Sequence, residues 1–103
     1  MSTIFHIMKE EYERLVKAEK AYRRRIRQLP QGAPRVKRIR GHDYLYLARR
    51  KGPKVVYDYI GSSGSKQAAE ILEKVNKRKQ YANLLRDIRP NLRDVKKVLR
   101  GKI

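Results

Sequence analysis

The chain has no cysteine and no tryptophan, a single phenylalanine, two histidines, and 10 acidic residues against 28 lysines and arginines. Without thiols there is no disulfide, no thiolate metal site and no cysteine nucleophile. His6 and His42 lie far apart in sequence, so no metal site and no bound cofactor is expected. The few carboxylates do not cluster at the helical spacing a metal-dependent nuclease needs. Glu10, Glu11 and Glu13 read instead as a solvated helical start near the positive end of the helix dipole. His42 beside Asp43 reads as a pair of turn residues rather than an acid–base couple, so no catalytic residue is assigned and the protein is not expected to be an enzyme. No apolar run approaches the roughly 18 residues of a membrane-spanning helix. The opening MSTIFHIMKEEYE has neither the basic start nor the apolar stretch of a secretory signal. These absences give the expectation of a soluble, cytoplasmic protein with no membrane partner.

What remains is charge and tyrosine. The 103 residues form one domain's worth of chain and are read as a single domain, 1–103. The formal net charge is +18, with 40% apolar residues available for a core. An excess of that size repels itself in the compact state, and a polyanion is the simplest partner to offset it. Nucleic acid ranks first, which places the protein with the nucleoid or another nucleoprotein assembly.

The hydrophobic period changes twice along the chain. Over residues 1–29, Phe5, Met8, Tyr12, Leu15, Tyr22, Ile26 and Leu29 recur at three- and four-residue steps broken only at Glu19, which predicts a long helix over 4–28 with Thr3 at its start. Pro30, Gly32 and Pro34 stop it. Over 35–61, the runs RVKRIR, DYLYLARR and KVVYDYIG, separated at GH and at KGP, predict a three-stranded antiparallel meander. A loop of two or four residues after the second strand sets Tyr46 opposite Tyr57 and Tyr44 opposite Tyr59, with all four on one face; a three-residue loop sets Tyr46 opposite Asp58. The even loop is preferred because it leaves Leu45, Leu47, Val56 and Ile60 together on the other face. Residues 65–100 then read as two helices. Ser65 caps one that runs from Lys66 to about Arg89. Pro90 interrupts, Asn91 with Asp94 caps a short last helix, and Gly101 ends it. The fold class expected is α+β: a long N-terminal helix, a three-stranded antiparallel sheet, a long helix and a short C-terminal helix. The seams of the two long helices pack together within the chain or across a homodimer, with Phe5, Met8, Tyr12 and Leu15 meeting Leu72, Val75, Ala82 or Leu85.

The order of Leu29-Pro30-Gln31-Gly32, Lys37 to Ile39, Gly41, Tyr44 to Leu47, Arg49 to Gly52, Tyr59-Ile60-Gly61 and Arg78-Lys79-Gln80-Tyr81 resembles a family of small, basic, largely uncharacterised prokaryotic proteins. That resemblance implies no defined activity; related modules are associated with mobile elements and toxin–antitoxin loci. More loosely, residues 35 to 85 resemble the arm-binding domains of tyrosine recombinases, which implies a three-stranded sheet laid on DNA. The long N-terminal helix has no counterpart there.

The candidate nucleic-acid-binding residues follow from chemistry. Tyr44, Tyr46, Tyr57 and Tyr59 offer ring faces to bases and hydroxyls to phosphates, or else serve as ordinary strand residues packing a core. Three cationic clusters flank them: Arg23, Arg24, Arg25 and Arg27; Arg35, Lys37, Arg38 and Arg40; Arg49, Arg50, Lys51 and Lys54. Arginine supplies forked hydrogen bonds to phosphate and lysine a mobile point charge. GSSGSK has too few residues between its glycines for a triphosphate loop, but the amides after Ser65, with Lys66, offer a place for one phosphate oxygen. The function expected is non-enzymatic binding of nucleic acid, duplex DNA ahead of RNA. The alternatives are an RNA-binding accessory subunit of a nucleoprotein complex and an antitoxin-like module that binds an acidic protein.

Overall fold

The computed structural model describes residues 3–100. The order of elements is α1 (Thr3–Gln28), β1 (Ala33–Ile39), β2 (His42–Lys51), β3 (Lys54–Ser62) and α2 (Lys66–Arg100). They fall into two compact units. A helical unit holds the residues up to 27 together with those from 80 onward, and a sheet unit holds residues 28 to 79.

In the helical unit, α1 packs against the second half of α2. Leu15, only 3% exposed, joins Leu85 and Ile88, and Ala18, Tyr22, Ile26, Leu92 and Val95 surround them. The Tyr22 and Tyr81 rings stand 6.0 Å apart, while Phe5 and Tyr12 share a recess with Lys96 and Leu99 at the other end. The two helices therefore run antiparallel. The seam expected on α1 is present, but its partners are shifted along α2. Leu85 is among them; Leu72 and Val75 belong to the sheet unit, and Ala82, within the helical unit, is exposed.

The last element corrects the expected fold class. There are two helices, not three, because α2 runs without a break through Pro90. Asn91 and Asp94 are exposed residues inside it rather than caps of a separate helix. The reason lies in the apolar stripe. Leu85, Ile88, Leu92 and Val95 keep helical spacing across the proline, so a break there would tear apart the face that packs on α1. Pro90 itself is exposed, with its ring on the solvent side. Gly101, the expected stop, lies outside the described residues.

The sheet unit begins where Pro30 pushes Leu29 out of helical geometry. Gly32 takes φ +131°, and a Cβ there would sit 3.1 Å from the Ala48 carbonyl oxygen and 3.2 Å from the Leu47 Cβ, so only glycine fits this approach to β2. The strands form an antiparallel sheet in the order β1-β2-β3. The first turn is Arg40-Gly41, both at positive φ (53° and 82°), as a type I′ hairpin requires. The expected turn at Gly41-His42 is thus one residue late: His42 opens β2. The second turn is the two residues Gly52-Pro53, with Gly52 at φ +64°. The loop is even, as preferred, but centred one residue later than assumed. Tyr46 therefore pairs with Tyr59 and Ala48 with Tyr57, instead of Tyr46 with Tyr57 and Tyr44 with Tyr59. A shift of one whole pleat leaves the face assignment intact.

A bulge at Ile60 restores pairing at Leu45 with Gly61. Beyond it the Ser63 amide donates to the Asp43 carbonyl at 2.9 Å, and Ser65 caps α2. Its Oγ accepts from the Ala68 amide at 3.1 Å and donates to the Ser62 carbonyl at 2.8 Å. The aliphatic face of the sheet is the core side of this unit. Leu45 is 1% exposed and Leu47 is buried, and the first turns of α2 supply the fully buried Ala68.

Candidate nucleic-acid interface

Strand alternation and the observed register sort every sheet residue onto one face or the other. The face away from the core carries, from the first turn towards the second, Ile39 beside His42, Lys37 beside Tyr44, Arg35 beside Tyr46 and Tyr59, Ala33 beside Ala48 and Tyr57, then Arg50 beside Val55. The four tyrosines do share a surface. Tyr59 is its hub, with its ring centroid 5.4 Å from that of Tyr46 and 6.1 Å from that of Tyr44. Tyr57 and Tyr59 are 49% and 58% exposed, while Tyr44 and Tyr46 are half-buried between their neighbours. Lys37 reaches across from β1, with Nζ 3.9 Å from the centroid of Tyr57 and 4.9 Å from that of Tyr46. A cation over exposed rings contributes about 0.5–1 kcal/mol per contact, enough to hold the ammonium among the tyrosines.

The electrostatics of the two faces differ. Arg35, Lys37 and Arg50 stand on the tyrosine face, which holds no carboxylate. Both acidic residues of the sheet, Asp43 and Asp58, lie on the opposite face. There the Arg49 Nε donates to an Asp58 carboxylate oxygen at 2.6 Å. Both groups are more than a third exposed, so the pair adds well under about 1 kcal/mol to stability. Its effect is to commit Arg49 to a neighbour. His42 and Asp43 point to opposite faces, as adjacent strand residues must, and do not form an acid–base couple.

The candidate residues thus separate into groups. Arg35, Lys37, Tyr44, Tyr46, Arg50, Tyr57 and Tyr59 are brought together. Arg38, Arg49, Lys51 and Lys54 occupy the other face, and Arg40 sits in the first turn. β1 pairs only as far as Ala48, so Arg49 to Val56 project beyond it as a two-stranded ribbon, with Arg50, Lys51 and Lys54 around its tip. The Ser65 hydroxyl is engaged in its cap, leaving Lys66 as the exposed cation of that loop. Arg23, Arg24, Arg25 and Arg27 are exposed on the last turns of α1, in the helical unit; Arg23 reaches Glu19 at 3.8 Å.

One cationic group was not legible as a site from the sequence: Arg86, Arg89, Arg93, Lys97 and Arg100, all exposed on α2. Their three- and four-residue spacing is a visible signal, but only if the helix is carried through Pro90. Among the described residues no three His, Asp or Glu side chains are placed to hold a metal ion, and no helix is long and apolar enough to cross a membrane. No family model, curated protein or solved structure matches the chain.

Proposed function

We propose that this is a non-enzymatic nucleic-acid-binding protein that engages duplex DNA through the tyrosine face of its sheet and the ribbon at Arg49 to Val56. One observation carries the reading: a surface with exposed rings and three cations holds no carboxylate, while the core has been built on the other side. A two-stranded ribbon matches the roughly 12 Å width of the DNA major groove, where Arg50 is able to make forked contacts to guanine edges. Lys51 and Lys54 at its tip suit the flanking phosphates, which fix register without reading sequence. Arg35 and Lys37 do the same beside the rings. The plan of a sheet laid on DNA is also what the resemblance of residues 35 to 85 to arm-binding domains implies.

The exposure of Tyr59 favours a second reading, in which unstacked bases of RNA or single-stranded DNA lie on the rings. Titration of labelled duplex DNA, single-stranded DNA and duplex RNA at several salt concentrations separates the two. Binding to duplex DNA should weaken with salt at a log–log slope of about −0.9 for each phosphate contacted. Replacing Arg50, Lys51 and Lys54 by Gln should shallow it by up to about 2.7. Replacing Tyr57 and Tyr59 by Ala should cost about 1–3 kcal/mol per lost stack on single strands and less on duplex. Duplex binding that does not change between about 50 and about 200 mM salt rules the proposal out.

A further inference from the structure

The geometry assigns the second half of α2 as a separate phosphate-backbone surface, so that each of the two units carries its own contact to duplex nucleic acid. The assignment rests on the reading of the sheet only for the identity of the polyanion. At 3.6 residues per turn, Arg86, Arg89, Arg93, Lys97 and Arg100 fall within an arc of about 80°. The first and last are separated by about 21 Å along the axis, one cation roughly every 5 Å, a length of about six base-pair steps at 3.4 Å each. All five are exposed. Arg86 meets Asp87 at 3.6 Å with both side chains largely in solvent, and Arg89, Arg93, Lys97 and Arg100 have no ion-pair partner among the described residues. Asp87 and Asp94 sit about 120° and about 100° around the helix from the centre of the stripe. Like charges three and four residues apart weaken a helix, so four successive pairs of them are unfavourable unless an external anion answers them.

What the stripe lacks supports the same polyanion. An interfacial membrane helix needs an apolar face beside its basic one. Here that face is occupied, because Leu85, Ile88, Leu92 and Val95 pack with α1. A protein interface needs a desolvated anchor near its centre; the centre of this stripe, Arg89, Arg93 and Lys97, lies outside the recess of Phe5 and Tyr12, which only Arg100 at the stripe's end borders. A row of evenly spaced, exposed cations suits a row of phosphates.

The test uses the full chain, a labelled duplex DNA of arbitrary sequence, and two variants. The stripe variant carries Arg89→Gln, Arg93→Gln, Lys97→Gln and Arg100→Gln; the ribbon variant carries Arg50→Gln, Lys51→Gln and Lys54→Gln. Glutamine is a good helix former, so helical circular dichroism should be unchanged. A third protein, with Arg89, Arg93 and Arg100 changed to Lys, keeps charge and should bind as the parent does. The expected result is a log–log salt slope shallower by up to about 3.6 units in the stripe variant, equally on unrelated duplexes. Parental binding with an unchanged slope in the stripe variant, and a loss in the ribbon variant, overturns the assignment and leaves the sheet reading standing. Loss in the stripe variant alone supports the assignment and sinks the sheet reading. No duplex binding by the parent chain overturns both. Partition onto phosphatidylserine vesicles that is lost in the stripe variant, with duplex binding intact, also overturns it.

Discussion

Pro90 offers the sharpest test of the fold, and the continuity of the basic stripe depends on it. Proline within a helix leaves the carbonyl four residues earlier, that of Arg86, without its amide donor and crowds it with the ring. Relative to alanine this costs about 3 kcal/mol in a helix interior. Proline also restricts the unfolded chain, which returns about 0.4–1 kcal/mol to the folded state. Pro90→Ala should therefore stabilise the protein by about 2 kcal/mol, since Pro90 is exposed and its ring leaves no cavity in the core. For a chain of this size each kcal/mol moves the thermal midpoint by about 4–8 °C, so a rise of roughly 10 °C is expected. Circular dichroism of the helical band against temperature measures it, and urea titration checks the free energy. A separate last helix capped at Asn91, with Pro90 in the break before it, would behave in the opposite way. There the proline costs no helical hydrogen bond and restricts the unfolded chain, so alanine is neutral or destabilising. A midpoint that does not rise would refute the uninterrupted helix, and with it the continuous row of cations from Arg86 to Arg100.

Other perturbations have defined outcomes. Leu15→Ala removes the centre of the cluster with Leu85 and Ile88 and should destabilise the helical unit by about 2–5 kcal/mol in a denaturant titration; an unchanged midpoint would mean that the α1 seam is not packed. Ser65→Ala deletes the cap on the Ala68 amide and should cost about 1 kcal/mol, whereas Ser65→Asp should retain most of it. The Arg14 guanidinium, hydrogen-bonded to Glu11, holds that carboxyl below the ordinary glutamate range. A depressed folded-state value means that the pair's small stabilisation is present above the ordinary value and is lost as pH falls through the lowered one. NMR titration should find the Glu11 midpoint below those of unpaired glutamates, and Arg14→Gln should move it back up.

The sequence carried the local signals well because each has a local cause. The three-and-four spacing from Phe5 to Ile26, the stop at Pro30 and the serine before Lys66 all act within a few residues, and each appears where expected; Pro34 does not, since β1 begins at Ala33 and takes it in. The separation of aromatic from aliphatic residues in β2 and β3 was legible for the same reason, since it depends only on alternation. Register was less so. It turns on which two of Lys51, Gly52 and Pro53 make the turn, and the bulge at Ile60 has no sequence marker beyond the glycine that follows it. The face assignments of Arg38 and Arg49 were hidden until register was known. Both lie on the side away from the tyrosines, together with Asp43 and Asp58, which leaves the tyrosine side with no negative charge. The helix through Pro90 was hidden by a competition that local rules do not resolve. A single proline opposes it, and burial of Leu85, Ile88, Leu92 and Val95 on α1 favours it. Each apolar side chain of that size stabilises by about 1.5–3 kcal/mol when fully buried, against a proline penalty of about 3. Partial burial of Leu92 and Val95 in register with Leu85 and Ile88 is therefore of the same size as the penalty, enough to offset the break. The same sum explains why the cations after Pro90 belong to one surface with those before it.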